Sequence, residues 1–270
     1  MVTTMKYSPI TKITSVTNGT IIDGGNYNMK IFTYWEGPKP PYIELCLESI
    51  KKINKQCDVH IVTPKNIHYY LNHDEIDHEI LKNPLLKRAQ KVDYIRILLI
   101  HKFGGMWLDA DTIAIKDLYE FERCFIDYDF CYMKWDDGRI LNGYFYCKEK
   151  SELTNEWINM IHVKRNLKHF TWTEFGEKIT SVLIKNPKFK SRQLNRSIFI
   201  PINFDKNPRL FFDSNKIQSY INSKTFCVAL NHSWFVDHTP NFVEMSLDEI
   251  ETKNNIMGLL IKQTRKILGG

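Results

Sequence analysis

A chain of 270 residues with 43% hydrophobic and 25% charged residues is long enough for a full core and has the composition of a soluble globular protein. Its net charge of +6 is mild, and its two densest basic runs, 185–196 and 262–265, read as solvated surface, which excludes a nucleic-acid-binding stripe. The six cysteines form no CxxC pair and no run approaches the length of a membrane span or a signal-peptide core; this excludes a zinc cluster and points to reduced thiols in a cytosolic protein.

Residues 1–28, rich in Thr, Gly and Asn, read as an N-terminal arm or peripheral hairpin. Lys30–Trp35 is a first core strand, stopped by Gly37-Pro38 and Pro40-Pro41, and Tyr42–Ile53 follows at helical spacing. Asp58–Val62 is a second strand, so the opening is a strand–helix–strand unit of a parallel sheet. Asn66 marks a short turn, and Asn83 with Pro84 predicts the start of a helix that ends at Gly104-Gly105. Met106–Leu108 is a short buried strand. Phe130–Lys134 and Leu141–Cys147 are strands joined by a turn, Ser151–Lys164 and Thr173–Ile184 helices, Phe226–Leu230 a late strand and Leu247–Leu268 a final amphipathic helix.

The chemistry gathers around Asp109-Ala110-Asp111. D-x-D by itself is common on surfaces, but here it ends a buried strand that follows two glycines, the edge where ligands bind in open α/β sheets. Two carboxylates converging at a strand end suit a divalent cation that can bridge the phosphates of a ligand. Asp93 and Arg96, three apart on the preceding helix, share one face among Val92, Ile95 and Ile97; charges placed there need a polar partner or ligand. Asn231-His232-Ser233-Trp234 forms a loop after the late strand, with an imidazole suited to Mn²⁺ and Mg²⁺ as the alternative. Tyr132, Trp135, Trp157 and Trp172 are aromatic faces able to stack on sugars, or simply core.

The segment from Val92 to Asp111 resembles the D-x-x-R, then G-G-x-Y/W-x-D-x-D block of GT-A-fold sugar transferases: glycosyltransferase family 32, its capsular-polysaccharide-synthesis relatives and the catalytic domain of the large clostridial glucosylating toxins. Trp35 and His232-Ser233-Trp234 match the outer parts of that pattern, so the resemblance spans about Lys30 to Trp234. It implies an α/β, Rossmann-like GT-A domain over 29–240, with a mixed, mostly parallel sheet flanked by helices, and a C-terminal helix, 241–270, packed on it. It implies a metal-dependent retaining transfer of a hexose from a nucleotide sugar, UDP-sugar ahead of GDP-mannose, to a glycan, glycolipid or protein. Asp93, Arg96, Asp109 and Asp111 would be catalytic, with Asp109, Asp111 and His232 on the metal. Tyr34, Trp35, Asp93, Arg96, Asp109, Asn142, Ser233 and Trp234 would bind the donor, Trp35 near the base and Trp234 closing over the diphosphate. One departure is Phe175-Gly176-Glu177, where family 32 often has Gly-Pro. The basic and apolar faces of the last helix suggest peripheral contact with an anionic membrane. The competing readings are a nucleotidyltransferase, for which Gly37–Pro40 is a poor triphosphate loop, and a non-catalytic carbohydrate-binding protein on the same fold.

Overall fold

The structure, a computed structural model, describes residues 29–269 apart from 126, 204–206 and 215–216, together with two short pairs in the arm. Those pairs, β1 (Val16–Thr17) and β2 (Thr20–Ile21), form a small antiparallel ladder with Val16 opposite Ile21; the rest of the predicted arm lies outside the described residues. Strand β3 (Lys30–Tyr34), helix α1 (Pro41–Ile53) and strand β4 (Asp58–Val62) form the predicted strand–helix–strand unit, with Lys30 opposite Asp58 in a parallel ladder.

The helix expected from Asn83 starts later. A short α2 (His78–Lys82) is followed by a turn in which Asn83 Oδ1 accepts from the Leu85 N–H, at 2.9 Å. Helix α3 (Arg88–Phe103) begins beyond it, where the Gln90 side chain folds back 2.6 Å onto the Lys87 N–H. From Asp93 to Ile100 every side chain of α3 is buried. Gly104 and Gly105, with φ of +64° and +102°, turn α3 into β5 (Gly105–Leu108). A Cβ on Gly105 would collide with the Lys30 carbonyl, so the residue type is what lets β5 lie beside β3.

Past Asp111 come β6 (Thr112–Ala114), α4 (Glu122–Phe125), β7 (Phe130–Lys134) and β8 (Ile140–Cys147). Helix α5 (Glu152–Lys164) is capped by Ser151, whose Oγ accepts from the Thr154 N–H. The helix predicted over 173–184 is shorter. Glu174, buried, accepts from Thr171 Oγ1, Lys164 and Lys178; this holds 171–176 as a loop, and α6 covers only Glu177–Leu183. Then follow β9 (Ser191–Gln193), β10 (Cys227–Ala229), α7 (His232–His238), α8 (Pro240–Val243), α9 (Leu247–Glu251) and α10 (Ile256–Leu268). The single terminal helix of the sequence reading is thus two, because Asn255 caps a new start by accepting from the Gly258 N–H at 2.9 Å.

The main sheet has the order β4-β3-β5-β8-β7-β9, and only β8 runs against the rest. Alternation along its strands fills two layers. Phe32, Trp107, Tyr132 and Phe145 face α3, α5 and α6, while Ile31, Met106, Cys131 and Tyr146 face the 118–125 and 194–200 segments. The late strand is not in this sheet: β10 pairs antiparallel with β6, Ala229 opposite Thr112. Of the apolar residues read as able to meet a membrane, Ile256 and Leu260 of α10 are buried in one cluster with Ile43 and Leu47 of α1 and Leu259 packs against that cluster, while Ile267 is exposed.

Candidate active site

Three chain segments meet at the carboxyl ends of β3 and β5. Because β10 pairs with β6 immediately beyond Asp111, and the Leu230 N–H donates to the Asp111 carbonyl at 2.8 Å, the chain after β10 emerges beside the aspartates. Asn231-His232-Ser233-Trp234 is therefore not a loop but the cap and first turn of α7; Asn231 Oδ1 accepts from the Trp234 N–H. Strand β8 supplies the third segment. Its ladder with β7 jumps from Tyr132–Phe145 to Met133–Leu141, leaving Asn142, Gly143 and Tyr144 unmatched on that side. Such bulges re-aim side chains next to functional clefts. Here Asn142 and Gly143 are delivered into a cleft of about 520 Å³ that also contains Tyr34, Trp35, Asp93, Arg96, Asp109, Asp111, His232 and Ser233.

Arg96 organises the floor. Its guanidinium lies 3.2 Å from Asp93 Oδ1 and 2.9 Å from Asp109 Oδ1, donates to the Asn142 carbonyl, and stacks 4.8 Å from the Trp107 ring centroid. Asn142 Nδ2 donates to Asp93 Oδ1 at 2.7 Å, and Trp107 Nε1 to Asp109 Oδ1 at 2.9 Å. The Asp109 carboxylate also presses on Gly143, where a Cβ would overlap it, while the Asp109 N–H donates to the Gly143 carbonyl at 3.0 Å. Two buried polar atoms of this network, Arg96 Nε and Asn142 Oδ1, have no hydrogen-bond partner among the described residues. Orphans of this kind beside a cleft are groups that a ligand can satisfy.

Electrostatically the floor is crowded. Burial pushes the Asp93 carboxyl up to about 6; Arg96 pulls it down and Asp109 adds to the push. Burial, and then the charge of Asp109, hold Asp111 well above the ordinary carboxylate range. Asp111 Oδ2 accepts from the His232 N–H at 3.0 Å. The imidazole is fixed by the Tyr42 hydroxyl, 2.6 Å from Nδ1, and by the Trp35 ring, 5.1 Å away edge to face. Burial and the nearby Arg88 charge lower its pKa, so the ring is neutral at pH 7.

The structure brings most of the sequence-predicted residues to one cleft, and three details of placement stand out. Trp234 is not on the cleft wall; its ring stacks on His238 at 4.8 Å and leans on Phe212. Asp109, Asp111 and His232 do not form a ready three-ligand centre: among the described residues no three His, Cys, Asp or Glu side chains gather as one, and His232 turns Nδ1 to Tyr42. Of the four aromatic faces, Trp157 is core, with Nε1 donating to the Phe175 carbonyl at 2.6 Å, and Tyr132 is buried; Trp135 and Trp172 do line the cleft. Sequence reasoning missed Tyr42, Arg88, Arg139 and Gly143. Only the Asn-Gly pair inside β8 carried a signal, since a glycine in a strand marks a bulge or a close approach.

Residues 18–139 match the model of the family described as capsular polysaccharide synthesis protein. No curated protein matches the chain. Among solved structures, the chain is similar to the glycosyltransferase GlyE of Streptococcus pneumoniae TIGR4, with a TM-score of 0.51 and 11% identity over 89% of this chain and 64% of that one. It thus spans somewhat less than two thirds of GlyE. Weaker likenesses are to the PaToxG glycosyltransferase (TM-score 0.43, 14% identity, 58% of this chain and 67% of that one) and to the galactosyltransferase LgtC (0.41, 12%, 75% and 87%). The fold is the GT-A fold seen in glycosyltransferases.

Proposed function

We propose that this chain is a metal-dependent, retaining glycosyltransferase that acts in the cytosol. It moves a hexose from a nucleotide sugar, UDP-sugar ahead of GDP-mannose, onto a glycan, glycolipid or protein. The observation that carries the reading is one buried guanidinium, Arg96, shared by Asp93, Asp109 and the Asn142 carbonyl at the floor of a cleft, with Asp111 beside it.

The residues present fit a divalent cation. Asp109 and Asp111 repel one another, and among the described residues no side chain donates to Asp109 Oδ2 or Asp111 Oδ1. Mn²⁺ or Mg²⁺ held there by the two carboxylates, with donor phosphate oxygens completing the shell, would neutralise charge on the leaving diphosphate. His232 stands beside that pair as a neutral imidazole and orients Asp111 through its backbone N–H.

The chain's own groups do the rest. Arg96 is a fixed positive charge that needs no reorganisation as the glycosidic bond breaks. Asp93 and Asn142, held by each other and by Arg96, offer acceptor and donor groups to the hydroxyls of the transferred sugar. Tyr34, Trp35 and Ser233 line the cleft; the two rings would wall the nucleoside and the Ser233 hydroxyl would meet the diphosphate. The bond from the anomeric carbon to the diphosphate breaks while a bond to the acceptor oxygen forms on the same face, and the acceptor proton passes to the departing diphosphate. Trapping a covalent glycosyl-enzyme would refute that front-face order.

The test is Asp111→Asn. It should remove Mn²⁺-dependent nucleotide-sugar binding, read as the thermal shift that ligand binding gives a native protein, and abolish transfer, while the unliganded protein stays folded. Wild-type turnover by this variant would overturn the proposal.

A further inference from the structure

The cleft does not stop at the transfer site. Its lining also includes Trp135, Arg139 and Ile140, from the turn between β7 and β8 and the start of β8, and Trp172, Thr173 and Glu177, from the segment that leads into α6. Trp172 is 59% exposed on the loop that Glu174 anchors. Trp135 begins the β7–β8 turn, its N–H donating to the Arg139 carbonyl at 2.8 Å. The same Trp135 is also a wall of a second cavity of about 540 Å³, between the end of β7 and the segment after β9. One indole therefore separates two adjoining cavities.

The second cavity is built from polar groups. Apart from Trp135 and Leu194, its walls are Lys134, Gln193, Asn195, Ser197 and the Arg196–Asp136 pair. It is also held rigid. Arg196 sits 5.7 Å from the Trp135 ring centroid, 3.3 Å from Asp136 Oδ1 and 3.0 Å from the Ile200 carbonyl, while Asn203 donates to Asp136 Oδ2 at 2.8 Å. Leu194 continues the ladder by donating to the Tyr132 carbonyl at 2.7 Å. A preorganised indole beside amides, a hydroxyl and fixed charges suits a ligand that presents CH faces and hydroxyls together. It offers no apolar slot for an acyl chain or a large apolar peptide side chain.

We infer that the acceptor is an extended glycan, whose terminal sugar lies in the cleft between Trp135 and Trp172 and whose following sugars pass over Trp135 into the second cavity. The identification of this glycan as acceptor rests on the transferase reading above. The second cavity, outside the space assigned to the donor, by itself exceeds what a single ring fills, since it is of the size that holds a drug-sized ligand. Chain length is therefore what the groove selects.

The experiment uses the full chain on an array of bacterial polysaccharide fragments from one to eight sugars long, with and without UDP-glucose and Mn²⁺. Fragments of three or more sugars of one glycan should be retained at least about tenfold more tightly than the mono- or disaccharide, roughly the effect of one good ring contact. Trp135→Ala should erase that length preference and Trp135→Phe should keep much of it. Gln193→Ala, on the exposed wall of the second cavity, should weaken only the longer fragments; thermal midpoints establish that each variant folds. Affinity that is flat from one sugar to eight, a length preference that survives Trp135→Ala, or retention of no glycan would each overturn the inference. The two readings separate cleanly. Nucleotide-sugar binding without length dependence leaves the transferase and removes the groove; long-glycan retention with no nucleotide-sugar binding in a panel removes the acceptor role.

Discussion

Replacing Gly143 by alanine tests the floor of the site through one methyl group. The new Cβ would occupy the position of the Asp109 carboxylate, which is not free to move aside: Arg96 and Trp107 both hold its Oδ1 at 2.9 Å, and the Asp109 N–H is bonded to the Gly143 carbonyl. Overpacking of this kind costs about 1–3 kcal/mol, and loss of a hydrogen bond to a charged group costs a similar amount. The expected loss is therefore about 2–4 kcal/mol in a urea unfolding curve, if the clash is only partly relieved by rotation of the carboxylate. A catalytic group displaced by an ångström loses on the order of 100-fold in rate, so transfer should fall at least that far. The decisive measurement is a double-mutant cycle in stability, which needs no substrate. In an Asp109→Ala background the obstructing carboxylate is gone, and Gly143→Ala should then cost under about 0.5 kcal/mol, giving a coupling of about 2 kcal/mol or more. Additive effects of the two substitutions would refute the argument that Gly143 is glycine to make room for Asp109.

Arg96→Ala would strand Asp93 in a buried setting and should cost about 3–5 kcal/mol of stability by urea unfolding, with Arg96→Lys intermediate because an ammonium cannot bridge three acceptors at once. Tyr42→Phe removes the 2.6 Å contact that fixes His232; it should weaken Mn²⁺-dependent donor binding about tenfold by thermal-shift titration, and an unchanged affinity would show that the imidazole has no part in the loaded site. Acid stability should report on Glu174. Burial opposes its ionisation, but bonds from Lys164, Lys178 and Thr171 overcome that and bring it from 4.5 down to about 2. A carboxylate lowered on folding stabilises the protein above its unfolded pKa, so this contribution is full above about 4.5 and is lost as pH falls toward 2. Glu174→Gln should destabilise by about 1–3 kcal/mol at pH 7, and urea midpoints of variant and wild type should converge as pH falls through that window.

The parts of the fold that were legible before the structure are those written in short-range patterns. β3, α1, β4, β7 and α5 fall within a residue or two of their predicted spans because apolar spacing and Gly, Pro or Ser stops are local signals. The errors sit where tertiary bonds override a local one. Asn83-Pro84 has the form of a helix start, yet Gln90 closing on the Lys87 N–H sets the boundary four residues later. The helix predicted from Thr173 is delayed to Glu177 because two lysines, one on α5 and one on α6, converge on Glu174. In the terminal helix, Asn255 has a local capping signal that the continuous amphipathic pattern concealed.

The same division runs through the site. Asp93, Arg96, Asp109 and Asp111 lie within 19 residues of one another, so the spacing of one helix and one strand announces them. What makes them a site comes from further away: the Asn142 carbonyl, the Gly143 vacancy and the Tyr42 hydroxyl reach them from β8 and α1. None of these has a residue type that signals chemistry. A glycine beside a carboxylate has its meaning only through the methyl it lacks, and a carbonyl belongs to every residue. Arg96 illustrates the consequence. On the helix alone it pairs with Asp93, a pair that in isolation adds little; with Asp109 and Asn142 added it becomes a buried cation with three acceptors that cannot be removed singly. The aspartate pair is thus held in place by what surrounds it, and changes to Gly143 or Tyr42 should reach the chemistry while leaving every recognisable motif intact.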